Sequence, residues 1–147
     1  MTARARGGLH HLEIWVADLE SAESSWGWLL TELGYTVRDR WPVGVSWAQA
    51  AGPYVVLEAG PDVASAPHDR LRPGVNHVAF HAGTRAEVDV LVVAAPEHGW
   101  SLLFADRHPF AGGPDHYAAY LEDPHGFEVE LVATDRPASD GPAPSTP

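Results

Sequence analysis

Four residues of this chain, His11, Glu58, His77 and Glu130, have side chains that bind divalent cations and fall at related places in its two halves. A neutral imidazole offers a nitrogen lone pair and a carboxylate offers oxygens. Several of them facing one cavity suit zinc, nickel, cobalt, manganese or iron. Glu130 lies in YLEDPHGFEVEL, residues 120–131, where the turn Asp123-Pro124-His125-Gly126 separates two strand-like runs. Alternation puts Glu128 and Glu130 on one strand face and Phe127, Val129 and Leu131 on the other. Glutamates facing water would make this an ordinary edge hairpin. Glutamates facing a cavity need a cation beside them, because buried like charges are strongly unfavourable.

The elements that must position these residues are written twice. Leu9 to Val16 alternates as a strand, and Asp18 caps a helix whose apolar stripe is Leu19, Ala22, Trp26, Leu29, Leu30 and Leu33, with Gly34 ending it. Val75 to His81 is again strand-like, Thr84 with Glu87 makes a capping box, and Val88, Leu91, Val92 and Ala95 form a stripe that closes at Gly99. His11 precedes Asp18 by 7 residues and His77 precedes Thr84 by 7, while Asp18 to Gly34 is 16 and Thr84 to Gly99 is 15. Three strand candidates follow each helix, near 35–40, 44–50 and 53–59, then near 100–105, 115–122 and 127–133. Each half therefore reads as βαβββ, an α+β class, and one half alone would leave an apolar sheet face uncovered.

This frame gives one domain over 9–133, with modules 9–59 and 74–133 and a linker 60–73, between a flexible segment 1–8 and a disordered Pro-rich tail 134–147. His11 then lies over His77 and Glu58 over Glu130, at separations of 47 and 53 residues, the excess assigned to an insertion at 107–114. Two imidazoles and two carboxylates at repeat-related places point to a shared divalent cation.

Composition narrows the partners. Twenty acidic against nine basic residues, a formal net charge of −11, oppose nucleic acid and anionic membrane. Without cysteine there are no disulfides and no thiolate sites, no segment has the form of a signal peptide, and no apolar run reaches spanning length. The expectation is a cytoplasmic protein with a small-molecule substrate.

LHHLEIWVADLESA, VNHVAFHAGTRAEVD and EDPHGFEVELV, which together span most of 9–133, resemble the two-module pattern of the vicinal oxygen chelate superfamily. That superfamily contains glyoxalases, extradiol dioxygenases, epimerases, fosfomycin-modifying enzymes and bleomycin-binding resistance proteins. The resemblance implies a curved, half-open mixed β-barrel and a metal held by His11, rather than His10, with His77 and Glu130. Glu58 matches the fourth ligand of glyoxalase-like members. It further implies a substrate whose adjacent oxygens chelate the metal, and a homodimer in which the ligands meet within one chain or across the two-fold.

Two chemistries stay open. A lyase or isomerase of glyoxalase type would use Glu58 and Glu130 as acid and base across the metal. An extradiol dioxygenase would hold ferrous iron with His11, His77 and Glu130, and Tyr120 in YxxDPxGxxxE resembles part of that signature. Ala119 departs from it, and no histidine stands at the usual upstream spacing. A metal-free drug-binding protein is the non-enzymatic alternative. His81 reads as a rim residue, and Arg107, His108, His116 and Tyr117 flank a loop, HPFAGGPDHY, that suits either a lid or a surface turn. Trp15 shares the strand face of His11 and could wall an aromatic pocket.

Overall fold

The computed structural model describes residues 6–135; residues 1–5 of the expected N-terminal segment and 136–147 of the expected C-terminal tail lie outside that range. The strands β1 (His11–Trp15), β2 (Thr36–Trp41), β3 (Gly44–Ala48) and β4 (Tyr54–Glu58) form one sheet in the order β1-β4-β3-β2. The strands β5 (His77–His81), β6 (Ser101–Leu102), β7 (Ala118–Glu122) and β8 (Glu128–Val132) form the other in the order β5-β8-β7-β6. In each sheet the first strand pairs parallel to the last and the remaining pairs are antiparallel. A helix follows the first strand of each half, α1 (Leu19–Glu32) and α2 (Arg85–Ala94). The result is the expected α+β architecture of two mixed sheets that do not close on one another.

Local chemistry sets both helix starts and the end of the first helix where the sequence put them. The Asp18 carboxylate accepts from the Ser21 amide at 3.1 Å, and Gly34, at φ 87°, takes the left-handed turn that ends α1. Thr84 and Glu87 form the reciprocal capping box of α2. The second helix stops short of the expected Gly99. Pro96 has no amide to donate, so α2 ends at Ala94 and a 3₁₀ turn, Ala95–His98, carries the chain to Gly99. The strand expected over 100–105 shrinks to two residues, because the chain leaves the sheet at Leu103 for the long loop to Tyr117.

Ile14, Val45, Trp47, Val55 and Leu57 from the first sheet and Leu121, Val129 and Leu131 from the second bury one face of each sheet with the helices. The halves are tied together by polar contacts inside this apolar layer. The Trp26 indole of α1 donates to Asp123 Oδ2 at 3.1 Å, and the Trp100 indole donates to the Ser25 carbonyl at 3.0 Å. The two rings meet edge to face at 5.3 Å. Asp123 also accepts the His125 and Phe127 amides on Oδ1, each at 2.9 Å, which closes the Asp-Pro-His-Gly turn.

Asp123 is buried, and its removal leaves an indole N–H and two amides without an acceptor. Asp123→Ala is expected to destabilise the fold by about 3 kcal/mol, the scale of several orphaned buried donors. Urea unfolding followed by tryptophan fluorescence measures it, and a loss under about 1 kcal/mol would mean that the turn closes by other means.

Candidate functional site

The register of the second sheet decides which side chains share a face. Glu128 stands opposite His77 on β5 and Glu122 on β7, and Glu130 stands opposite Ala79 and Tyr120. This is the face turned away from Val129 and Leu131. Both glutamates on it are nevertheless only 6% exposed. They are buried carboxylates, and each has found positive or donating partners.

Arg70 partners the lower pair. It reaches from the linker, donating from Nη1 to Glu122 Oε1 at 2.8 Å and standing 2.7 Å from Glu128 Oε2 through Nε. Gly126 lets the turn sit under this linker: its φ is 88°, and an added Cβ would stand 3.0 Å from the His68 carbonyl oxygen. Reading 60–73 as a plain connection overlooked Arg70. Two arginines in the linker of an acidic chain, Arg70 and Arg72, were the available signal.

Glu130 is held differently. His77 Nε2 lies 3.0 Å from its Oε2, His116 Nε2 hydrogen-bonds its Oε1, and the Tyr120 hydroxyl donates to it. His116 comes from the loop over 103–117, which is packed down rather than free. Leu103 N donates to the Tyr120 carbonyl and Ala118 N to the Pro109 carbonyl. A Cβ on Gly112 would come within 2.6 Å of His116 Cδ2 and 2.7 Å of the Tyr120 hydroxyl. Only a glycine lets the loop backbone approach the site so closely. Phe104 packs edge to face on Tyr120 at 5.5 Å, and Arg107 lies over the Phe104 ring.

Of the residues expected at one metal, the chain brings His77 and Glu130 together, with Tyr120 beside them. His11 and Glu58 are elsewhere. His11 stacks on Tyr54 at 4.8 Å, with its Nδ1 2.8 Å from His10 Nδ1, and is exposed. Glu58 stands opposite Trp15, four residues further along β1, about 13 Å at the usual strand rise. The paired registers correct the superposition made from sequence intervals. His11 faces Tyr54 as His77 faces Glu128, so the counterpart of Glu130 is Val56, and Glu58 corresponds to Val132. The four-residue shell therefore does not fit the first half within this chain. Among the described residues no group of three or more His, Asp or Glu side chains stands at the spacing of a metal shell. His81 is exposed, four residues along β5 from His77.

Beside His77, Asn76 and Glu128 opens a largely apolar cleft of about 540 Å³, walled by Trp15, Trp26 and Phe127 and covered by the linker at Pro67 and His68. Trp15 thus lines a cavity, although not one shared with His11.

Burial alone would raise the Glu130 carboxyl, but the hydrogen bonds from His116 and Tyr120, the charge of His116 and the contact with His77 outweigh it and hold Glu130 below the ordinary carboxylate range. Tyr120 is pushed up to about 12, first by burial, then by its bond to Glu130 and the charges of Glu130 and Glu128. It stays a hydroxyl donor through neutral pH. The raised value favours the fold at pH values below the tyrosine's unfolded pKa, near 10, and that contribution is lost as pH climbs through about 12. Tyrosinate absorbance titration of the wild type and Tyr120→Phe is expected to show one late-titrating tyrosine missing from the variant. An unchanged late limb would place Tyr120 outside this network.

The chain and its fold have relatives. Residues 10–120 match the family model described as glyoxalase/bleomycin resistance protein/dioxygenase superfamily. The chain is 42% identical over 125 residues to the uncharacterized protein YqjT of Bacillus subtilis (strain 168), covering 85% of this chain and 98% of that one. A crystal structure from Bacillus halodurans, described as a candidate glyoxalase, is 45% identical, with a TM-score of 0.82 over 88% of this chain and 97% of its own. A glyoxalase/bleomycin resistance protein from Albidiferax ferrireducens T118, 20% identical, shares the fold with a TM-score of 0.68, over 86% of this chain and 98% of its own. The chain belongs to the glyoxalase/bleomycin resistance protein/dioxygenase superfamily.

Proposed function

We propose that this chain is an enzyme of lyase or isomerase type that moves a proton on a small substrate bearing adjacent oxygens, and that the open face of the second sheet is its active site. The observation that carries the reading is Glu130, a carboxylate 6% exposed and ringed by His77, His116 and Tyr120. A carboxylate kept ionised in so buried a place is available as a base at neutral pH, and two imidazoles beside it offer a route for the proton it takes. Tyr120, held protonated, donates to Glu130 and fixes the direction of its lone pairs. The loop at Gly112 packs closely on His116 and Tyr120, while His77 and His116 stay partly open to solvent beside the buried Glu130.

Members of this superfamily commonly use divalent ions; a bound ion would polarise the substrate oxygens and stabilise charge as the proton leaves. His77 and Glu130 are the expected ligands that this chain brings together. Ring cleavage of a catechol is the second chemistry that the resemblance raises; its expected triad includes His11, which within this chain stacks on Tyr54. Binding without catalysis draws support from the apolar cleft beside His77.

A panel of 2-oxoaldehyde hemithioacetals, 2-hydroxy ketones and catechols separates these readings. Isomerised or eliminated product without oxygen uptake is the expected result. Glu130→Gln is expected to lower that turnover by about 100-fold or more while leaving the circular dichroism spectrum intact. Oxygen consumption with a catechol would replace the reading by dioxygenase chemistry, and saturable ligand binding with no turnover would replace it by sequestration.

A further inference from the structure

We infer that the cleft beside His77 takes an uncharged aryl group, the part of the substrate that does not react, and that Trp15 is the residue that selects for it. This rests on the preceding reading of the Glu130 face as the reactive one. His77 both lines the cleft and stands 3.0 Å from Glu130 Oε2, so a group seated in the cleft ends beside that face. The cleft lies on the seam of the molecule. Among the described residues β1 pairs only with β4 and β5 only with β8, and residues 12–15 and 75–78 line the space of about 540 Å³ between these two edges. Such a volume is that of a small-molecule site and far above the voids of a close-packed interior.

The roof over this space is fastened in place. His68 stacks flat on Phe127, with ring centroids 4.1 Å apart at 5°, and Arg70 pairs with Glu122 and Glu128. Between Val63 and Pro67 the linker carries only Ala64, Ser65 and Ala66, side chains too small to fill the room beneath them. The walls are aromatic, and their donors are used elsewhere. The Trp26 indole N–H is bound to Asp123 and that of Trp15 stands 3.4 Å from Glu13 Oε2, which leaves ring carbon for the cleft. Trp15 is 48% exposed, and an aryl group laid against it would cover apolar surface that the chain leaves open.

Charge balance disfavours ions of either sign. All nine basic residues of the chain are arginines, and none of those described lines the cleft. The imidazoles of His77 and His125 are turned to Glu130 and Ser21, and that of His68 is stacked. An anionic group would therefore enter an apolar space without a counter-charge, in a chain of net charge −11. Of the two carboxylates at the cleft, Glu128 is paired with Arg70 at 2.7 Å and Glu13 is exposed to solvent. Neither is left buried and unbalanced to receive a cation. An aryl ketone fits these walls, and a conjugate of a carboxylate-bearing thiol carrier does not.

The test uses the full-length protein and a matched series, 2-naphthylmethanol, 2-naphthoate and 2-naphthylmethylammonium, titrated by calorimetry. The neutral probe is expected to bind at one site per chain with a dissociation constant of about 0.1 mM. Each charged probe is expected to bind about tenfold more weakly or worse. Trp15→Ala is expected to weaken the neutral probe by about tenfold, and Trp15→Phe to restore it to within about threefold, with circular dichroism showing that both are folded. In turnover, 2-hydroxyacetophenone is expected to exceed hydroxyacetone in kcat/KM by about 30-fold or more, a preference that Trp15→Ala reduces to about threefold or less. Tighter binding of either charged probe, equal binding by wild type and Trp15→Ala, or equal kcat/KM for the two ketones would each overturn the inference, and the last would leave the proposed reaction standing. Selective binding of the neutral probe with no turnover of either ketone would overturn the proposed reaction and leave the selectivity of the cleft in place.

Discussion

The buried Asp123 carboxylate is the constraint on which the site depends. Its two oxygens accept from three N–H groups: the Trp26 indole on one side, the His125 and Phe127 amides on the other. The first bond belongs to a helix of the first half, the other two to the turn that launches β8. The second contact across the same junction, Ser21 Oγ to His125 Nε2 at 2.8 Å, repeats the connection. Fixing the turn fixes where β8 begins, and a one-residue slip there would turn Glu128 and Glu130 into the apolar layer and Val129 out of it. The chemistry of the second sheet is therefore held in register partly by the helix of the first.

Charge balance imposes the next level of order. Three glutamates on one sheet face would ordinarily force the strands apart or keep the face wet, yet two of them are nearly buried. Arg70 resolves two of the three with two short contacts, which requires the linker to fold back over β8 and makes it part of the site. Glu130 is left to His77, His116 and Tyr120. Its lowered proton affinity in spite of burial reflects how many hydrogen bonds converge on it, since desolvation acts in the opposite direction.

Most of the scaffold was legible because its signals are local. The Asp18 cap, the Thr84–Glu87 box and Gly34 each act within a few residues and are used as read, whereas Gly99 follows a 3₁₀ turn beyond the end of α2. His77 and Glu130 were expected at one place from the repeat and the resemblance, and β5 and β8 bring their side chains within 3.0 Å of each other. What sequence intervals could not carry is register. Counting 47 residues against 53 laid Glu58 over Glu130, whereas the ladder lays Val56 there, because loop lengths between strands absorb residues without moving the strands. His116 and Arg70 were harder still. Each arrives from irregular chain, where neither periodicity nor spacing predicts which way the backbone returns.

The correction to the register also explains why two halves built alike do unlike things. On the face of the first sheet, the positions matching Tyr120 and Glu130 are Ser46 and Val56, both buried, and β3 begins at Gly44 with the Trp41 ring lying against it so closely that a Cβ would stand 2.2 Å from the indole. That face is filled by an aromatic ring and an aliphatic side chain, and it leaves no carboxylate to be balanced. His11 keeps its place on β1 but, lacking an acid two residues along the neighbouring strand, it stacks on Tyr54 and Arg38 lies over the same ring. A duplicated sheet preserves its backbone through the apolar layer against the helices. The opposite face is free to diverge, and in this chain one copy is filled by packing while the other gathers acids, imidazoles and the loop that carries His116.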